Sequence, residues 1–329
     1  MGENYGLPYT GSKSRIAHWV IDNLPCGRVL IDAFAGGCAI THRALLSQKW
    51  QTVIANDINE KYPQLFADAI HGRYRDEKQW ISREDFKRLK FQDAFIACCW
   101  SFGNNLQRYM YSQAIEPYKR ALHYAIVLDD FEQMQELMPE VSQSVHEAIH
   151  ELRHTHDRRV TAQKVIVKTL KRLTGDNYAH QIIQGNPLYQ SIRHSNKDAQ
   201  SLQRLERLQS LQSLQNLESL ESLERLQSLE RLRVTSLSYD EIDIPPDAVV
   251  YCDPPYHACN KELYEGTARF DHNAFYDWCV DVSKTNPIFI SEYSIEDDRF
   301  EVVAEKQKIT SMSPVKSFNV TERLYTVKK

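Results

Sequence analysis

Asp253-Pro254-Pro255-Tyr256 is the part of this 329-residue chain best equipped for chemistry. It follows an apolar run, Ala248-Val249-Val250-Tyr251-Cys252, that reads as a buried strand of a parallel sheet. Neither proline can donate to a ladder and each fixes its own φ, so the chain leaves the sheet sharply. The strand's carboxyl end then presents one carboxylate, bare carbonyls and one aromatic face. Such a set can hold a flat heterocycle bearing an exocyclic amine. Asp253 and the Pro254 carbonyl accept the two amine hydrogens, while Tyr256 stacks on the ring. Taken alone the tetrapeptide is also an ordinary exit from a strand, so the rest of the chain must decide.

The elements that would position it begin near the N-terminus. Arg28 to Ile40 reads as an apolar strand, an acid (Asp32), Phe34, a turn with Gly36 and Gly37, and then a helical pattern. Glycines there let backbone and ligand approach closely at the first strand-to-helix turn of a doubly wound sheet. A second strand, Thr52 to Ala55, ends in Asn56-Asp57-Ile58-Asn59. An acid at that place, about 20 residues after the turn, can accept hydrogen bonds from ribose hydroxyls. The turn is neither G-x-G-x-x-G nor a P-loop, which disfavours a nicotinamide cofactor and a nucleoside triphosphate. Ahead of both, Pro8-Tyr9-Thr10-Gly11-Ser12-Lys13-Ser14 precedes a predicted helix over Ile16 to Asn23, with Ser12 or Ser14 as its expected cap.

Together these segments resemble the Dam-like family of DNA adenine methyltransferases, including its phage-borne relatives. The order matches: Tyr-x-Gly-x-Lys, Asp-x-Phe-x-Gly-Gly, Asn-Asp-Ile-Asn, a long variable region, then Asp-Pro-Pro-Tyr. Ser101-Phe102-Gly103-Asn104, a late strand over Pro287 to Tyr293, and Glu322-Arg323-Leu324-Tyr325 fit as well. The likeness covers roughly residues 5–112 and 234–329. Two positions depart from the commonest pattern: Ala33 stands where many members have proline, and Cys38 where many have a third glycine. A slightly tighter cofactor turn is expected from the second.

The resemblance implies S-adenosylmethionine as cofactor. Tyr9 and Lys13 would contact its methionine end over the Asp32–Phe34–Gly36–Gly37 turn, Asp57 would hold the ribose, and Asp253 would sit between methyl group and target amine. Asp253, Pro254 and Tyr256 would carry the reaction on a base flipped out of duplex DNA. Asp at the head of the motif favours adenine over cytosine. The alternatives are an amino-cytosine or RNA adenine methyltransferase, or an inactive nucleic-acid-binding module of the same fold.

A net charge of −4 argues against DNA less than its distribution argues for it. From Arg153 to Lys197 there are nine bases and two acids, interleaved with amides and aromatics. Arg153, Arg158, Arg159, Lys164, Lys168, Lys171 and Arg172 are the expected phosphate contacts and Asn177 a base reader, against the plainer reading of a solvated helix face. His146-Glu147-Ala148-Ile149-His150 has zincin spacing, but no third ligand follows in the usual place, and no metal is expected. Seven scattered cysteines without a C-x-x-C pair read as reduced cytosolic thiols, and no run is long and apolar enough to span a membrane.

From Leu202 to Leu232 leucine returns every third residue. Three residues turn an α-helix by about 300°, so the stripe drifts around every face, whereas a 3₁₀ helix would stack it on one edge. The period favours a 3₁₀-like or mixed strut, with α-helix the close alternative and a homodimer contact as its candidate use. A cognate restriction enzyme is a further candidate partner. The expected architecture is an α/β Rossmann-like methyltransferase sheet with an inserted, mainly helical target-recognition region. Its parts are 1–95 (cofactor), 96–200 (DNA recognition), 201–233 (leucine repeat) and 234–329 (catalytic).

Overall fold

The apolar runs around the two chemical motifs form adjacent strands. In a computed structural model, which describes residues 5–174, 212–224, 226, 229–256, 270–313 and 316–329, β1 (Gly27–Asp32) pairs in parallel with β4 (Val249–Cys252), Ile31 opposite Val250. All four residues of β4 are buried, as expected of a central strand covered on both faces. β2 (Trp50–Asn56) flanks β1, and β3 (Leu232–Thr235) flanks β2; β5 (Ile288–Glu292) lies beyond β4. The long strands β6 (Phe300–Ser313) and β7 (Lys316–Val327) complete the sheet in the order β3-β2-β1-β4-β5-β7-β6. β1 to β5 run parallel and β7 runs against its neighbours. This is the Rossmann-like methyltransferase sheet that the motifs imply.

Helices α1 (Ala17–Asn23), α2 (Ala39–Ser47) and α3 (Lys61–Ile70) belong to the same unit, which comprises residues 1–75 and 219–329. α1 begins where expected, but neither serine caps it. Ser14 Oγ instead accepts from the Tyr5 amide at 2.7 Å, and Ser12 Oγ from the Ser14 amide, folding the segment before the helix back on itself. The helix over His272–Ser283 is capped by Asp271 as its sequence predicts, the carboxylate accepting from the Asn273 and Ala274 amides. Its Phe275 and Cys279 join Ile31, Val250, Cys252 and Ile290 in the core.

Residues 76–218 form the second compact unit. It contains α4 (Arg83–Leu89), α5 (Ala94–Cys99), α6 (Glu116–Val127), α7 (Glu132–Leu137), α8 (Pro139–Ile149) and α9 (Thr155–Thr174). The unit starts at residue 76 and not at 96. Trp80 explains the difference: its ring stacks on Tyr111 at 5.5 Å and meets Trp100 edge-on at 4.9 Å, fastening the segment before α4 to the helical core. Buried Phe86, Leu122, Ile126, Val145, Ile149 and Ile166 fill the rest.

In its described part the leucine repeat is not a separate strut. Its described part is an α-helix, α10 (Gln212–Leu223), followed by one 3₁₀ turn over Leu229–Arg231, and its last leucine opens β3. The leaning towards 3₁₀ is therefore overturned there, and residues 202–211 lie outside the described residues. Period three is tolerable on an α-helix because this one is covered on nearly every side. Leu214, Leu217, Leu220 and Leu223 are buried, and so are Ser213 and Asn216. Ser213 bonds the Tyr111 hydroxyl and Asn216 donates to the Cys99 carbonyl. The His272–Ser283 helix is α11.

Candidate active site

Three strands of the first unit lead to acids at their carboxyl edge: Asp32 as the last residue of β1, Asp57 just after β2 and Asp253 just after β4. In open α/β sheets that edge is where ligands bind. A fourth acid arrives from the far end of the sequence. Because β7 runs antiparallel, Arg323 pairs with Glu292 at the end of β5, and Glu322 falls just beyond, level with the strand ends.

Lys13 ties these groups together. Its ammonium lies 2.7 Å from Asp253 Oδ1, 3.7 Å from Glu322 Oε1 and 4.5 Å from the centre of the Tyr256 ring. The Tyr256 hydroxyl donates to Glu322 Oε1, and Tyr293 meets the Tyr256 ring edge-on at 4.6 Å. Lys13 is only 9 % exposed and Glu322 is fully buried. Burial opposes the lysine's charge, but Asp253 and Glu322 outweigh it and hold its pKa above the ordinary value. The ammonium is thus charged at every physiological pH. Asp253 remains 18 % exposed, and Pro254 is buried.

The glycine turn is shaped by Tyr9. A Cβ at Gly37 would come within 2.6 Å of Tyr9 Cβ, and one at Gly36, where φ is +45°, would touch the tyrosine ring at 3.6 Å. The Gly36 amide donates to Asp57 Oδ2 at 2.8 Å, and the Asn59 amide to Oδ1 at 2.9 Å. A carboxylate has about four lone-pair sites, so Asp57 can still accept hydroxyl donors. Burial lifts its pKa while the two amides hold it back. Asn56, which the sequence reading left without a role, donates to the carbonyls of Ala33 and Leu237 and accepts from Thr235 and the Leu237 amide, locking the ends of β1, β2 and β3.

Asp32 and Phe34 do different work from that expected. Asp32 Oδ2 accepts from both the amide and the hydroxyl of Thr41, at 3.1 and 2.7 Å. Asp32 is thus a remote cap for α2, whose own N-cap residue, Cys38, makes no side-chain capping bond. Burial, opposed by Thr41 and assisted by Asp253 and Asp57, raises its carboxyl to about 7. Phe34 is packed with Tyr239, Phe270 and Phe275. Both residues hold the turn's shape, and their side chains are used inward.

Cys38 takes up the glycine-like conformation its position demands. Its φ is +58°, left-handed for a residue with a side chain, and it is fully buried. The strain is about 1 kcal/mol or slightly more. Burying the small side chain returns about the same amount. Cys38→Gly should therefore change unfolding free energy by less than about 1 kcal/mol, measured by chemical denaturation of the two proteins side by side.

Residues 9–154 match the model of the D12 class N6 adenine-specific DNA methyltransferases. Over these residues the chain resembles that family. The match takes in Tyr9, Lys13, the glycine turn and Asp57, and ends before Asp253, which the sheet brings beside them. No curated protein matches the chain. N6 methylation of adenine in DNA is the activity of the family, and its members draw the methyl group from S-adenosylmethionine.

In the helical unit the expected phosphate contacts divide. Arg158 is 7 % exposed and donates to the carbonyls of Ala125, Ile126, Ile149 and Leu152, closing the ends of α6 and α8, and it pairs with Asp129. Arg159 is bound to Glu218 through both Nε and Nη2. These two guanidinium groups are internal fasteners and leave the DNA set. Arg153, Lys164 and Lys168 are exposed. The side chains of Lys171 and Arg172, and all of Asn177, lie outside the described residues. His146 and His150 are exposed on α8 with stacked rings, and the described residues contain no cluster of three metal-binding side chains.

Proposed function

We propose that this methyltransferase acts on adenines flipped out of duplex DNA, with S-adenosylmethionine held over the glycine turn. Three observations support the fit of that cofactor. The turn lies so close to Tyr9 that a Cβ at Gly37 has no room, which keeps the backbone bare for close approach. Asp57 retains acceptor capacity at the end of β2, where a ribose needs it. The strand ends bring Asp253 and Glu322 to Lys13 and set Asp32 within electrostatic reach of Asp253 and Asp57, an acidic setting suited to a sulfonium cation. When bound, S-adenosylmethionine supplies an electrophilic methyl group.

The chain's own residues then have to activate the amine. The lone pair of adenine N6 is delocalised into the ring and is a poor nucleophile. Asp253 and the Pro254 carbonyl, accepting its two hydrogens, favour a pyramidal nitrogen with the lone pair directed out of the ring. The carboxylate also offsets the positive charge that grows on nitrogen during transfer. Tyr256 takes over the stacking lost when the base leaves the helix. Tyr9 and Lys13 serve the cofactor's methionine end, and Arg153, Lys164 and Lys168 are candidates for backbone phosphates. The observation that carries the reading is the pair Lys13–Asp253, which joins the first motif to the last at the carboxyl edge of the sheet.

The test is incubation of purified protein with unmethylated bacterial DNA and S-adenosylmethionine, followed by mass spectrometry of the nucleosides. N6-methyldeoxyadenosine is expected on duplex DNA. Methylcytosine, or methylation confined to RNA, would overturn the substrate assignment.

A further inference from the structure

Glu322 is buried at the active edge of the sheet, yet it lies 66 positions after Tyr256 and outside the matched region. A fully buried carboxylate is retained only with partners that satisfy it. Here the partners include the two groups that face Asp253. One is the Tyr256 hydroxyl, which donates to Oε1. The other is the Lys13 ammonium, 3.7 Å from the same oxygen and 2.7 Å from Asp253.

This arrangement has a consequence for substrate entry. Lys13 holds Asp253 Oδ1 and also stands over the Tyr256 ring. A target amine that takes this same oxygen competes with Lys13 for it. A buried ammonium cannot be released without a second anion to receive it. Glu322 is that anion, within a small movement of the lysine. The same carboxylate pins the far end of the Tyr256 ring, so the ring keeps its tilt while the lysine shifts.

Resting on the methyltransferase reading, we infer that Glu322 is a positioning residue. It fixes Tyr256 through its hydroxyl and receives Lys13 when the target amine displaces it from Asp253.

The experiment compares the parent enzyme with Glu322→Ala, Glu322→Gln, Tyr256→Phe and the double variant Glu322→Ala/Tyr256→Phe. It measures kcat and KM on unmethylated bacterial DNA, S-adenosylmethionine affinity by calorimetry, and melting temperature. Glu322→Ala should lower kcat about 10- to 100-fold, the scale of a lost hydrogen bond to a charged group. Glu322→Gln, which can still accept from Tyr256 but cannot neutralise Lys13, should fall between it and the parent. The loss in the double variant should be smaller than the product of the two single losses, since both break one bond. Cofactor affinity should stay within about twofold, which a general loss of structure would not allow. Glutamine keeps the shape of the side chain, so a failure of the alanine variant to fold leaves the test intact. Parent-like kcat in Glu322→Gln, or losses that multiply, would overturn the inference while leaving adenine methylation standing. Absence of adenine methylation by the parent enzyme would overturn both.

Discussion

Asp253→Ala should reduce adenine methylation by about 10²- to 10³-fold, the range typical for removing one preorganised group aimed at developing charge. The variant loses the acceptor for the target amine and the charge that offsets the growing cation. It also strips Lys13 of its partner at 2.7 Å, leaving the ammonium with Glu322 at 3.7 Å. Removing one member of a buried pair normally destabilises strongly. Here the effect is softened, because Asp253 also adds to the repulsion that lifts Asp32 to about 7. The expected signature is a collapse of kcat with a folded protein. The check is single-turnover methylation of DNA together with circular dichroism of the same sample. A variant that retains more than a tenth of the parental rate would remove Asp253 from the reaction.

Gly6→Ala should lower stability by about 2–4 kcal/mol, combining overpacking against backbone with a left-handed residue that carries a side chain. Gly6 has φ +75°, and a Cβ there would lie 2.3 Å from the Gly37 carbonyl oxygen, 2.7 Å from the Ala39 nitrogen and 2.8 Å from the Ala39 Cα. None of these atoms is the end of a flexible side chain. The segment is also laced to the turn, the Gly6 amide donating to His42 Nδ1 at 2.9 Å and the Leu7 amide to the Gly37 carbonyl at 2.7 Å. Relief must come from moving the cofactor turn itself, so S-adenosylmethionine affinity should fall along with melting temperature. Gly103→Ala is the matched control: its φ is +59° but nothing lies within 4 Å of the added carbon. It should show only the conformational part, about 1 kcal/mol. Equal losses in the two variants would show that contact with Gly37 is irrelevant.

What the sequence disclosed about the site follows from how local each feature is. Asp-Pro-Pro-Tyr and the glycine turn are contiguous, and each fixes its own exit from a strand, so both could be read without knowing their neighbours. Apolar runs flanking them sufficed for β1, β2, β4 and β5. Glu322 could not be found that way. Its tail was recognised as fitting, but its role depends on β7 running backwards beside β5, a pairing no local pattern encodes. Arg158 and Arg159 failed for the opposite reason. A count of nine bases against two acids treats all guanidinium groups alike, while these two meet carbonyls and acids that lie 6 to 59 residues away. Asp32 carried a usable hint in Thr41, nine positions on at the third residue of a helix whose cap is a cysteine. The leucine repeat misled because period three distinguishes helix types only when one face is buried, and α10 is covered nearly all round.

The sheet order has a temporal consequence during synthesis. Ala55 of β2 is opposite Val234 of β3, and about 180 residues separate them, most of them belonging to the helical unit. At roughly 5–20 residues per second, β2 waits roughly 10–40 s for its outer neighbour, and β1 waits longer for β4. A lone parallel pair is marginal in water, and its open edges invite pairing with other chains. The helical unit's partners lie within 76–218, so it can condense while that half-sheet is still incomplete. During that interval the two apolar strands depend on shielding from other chains.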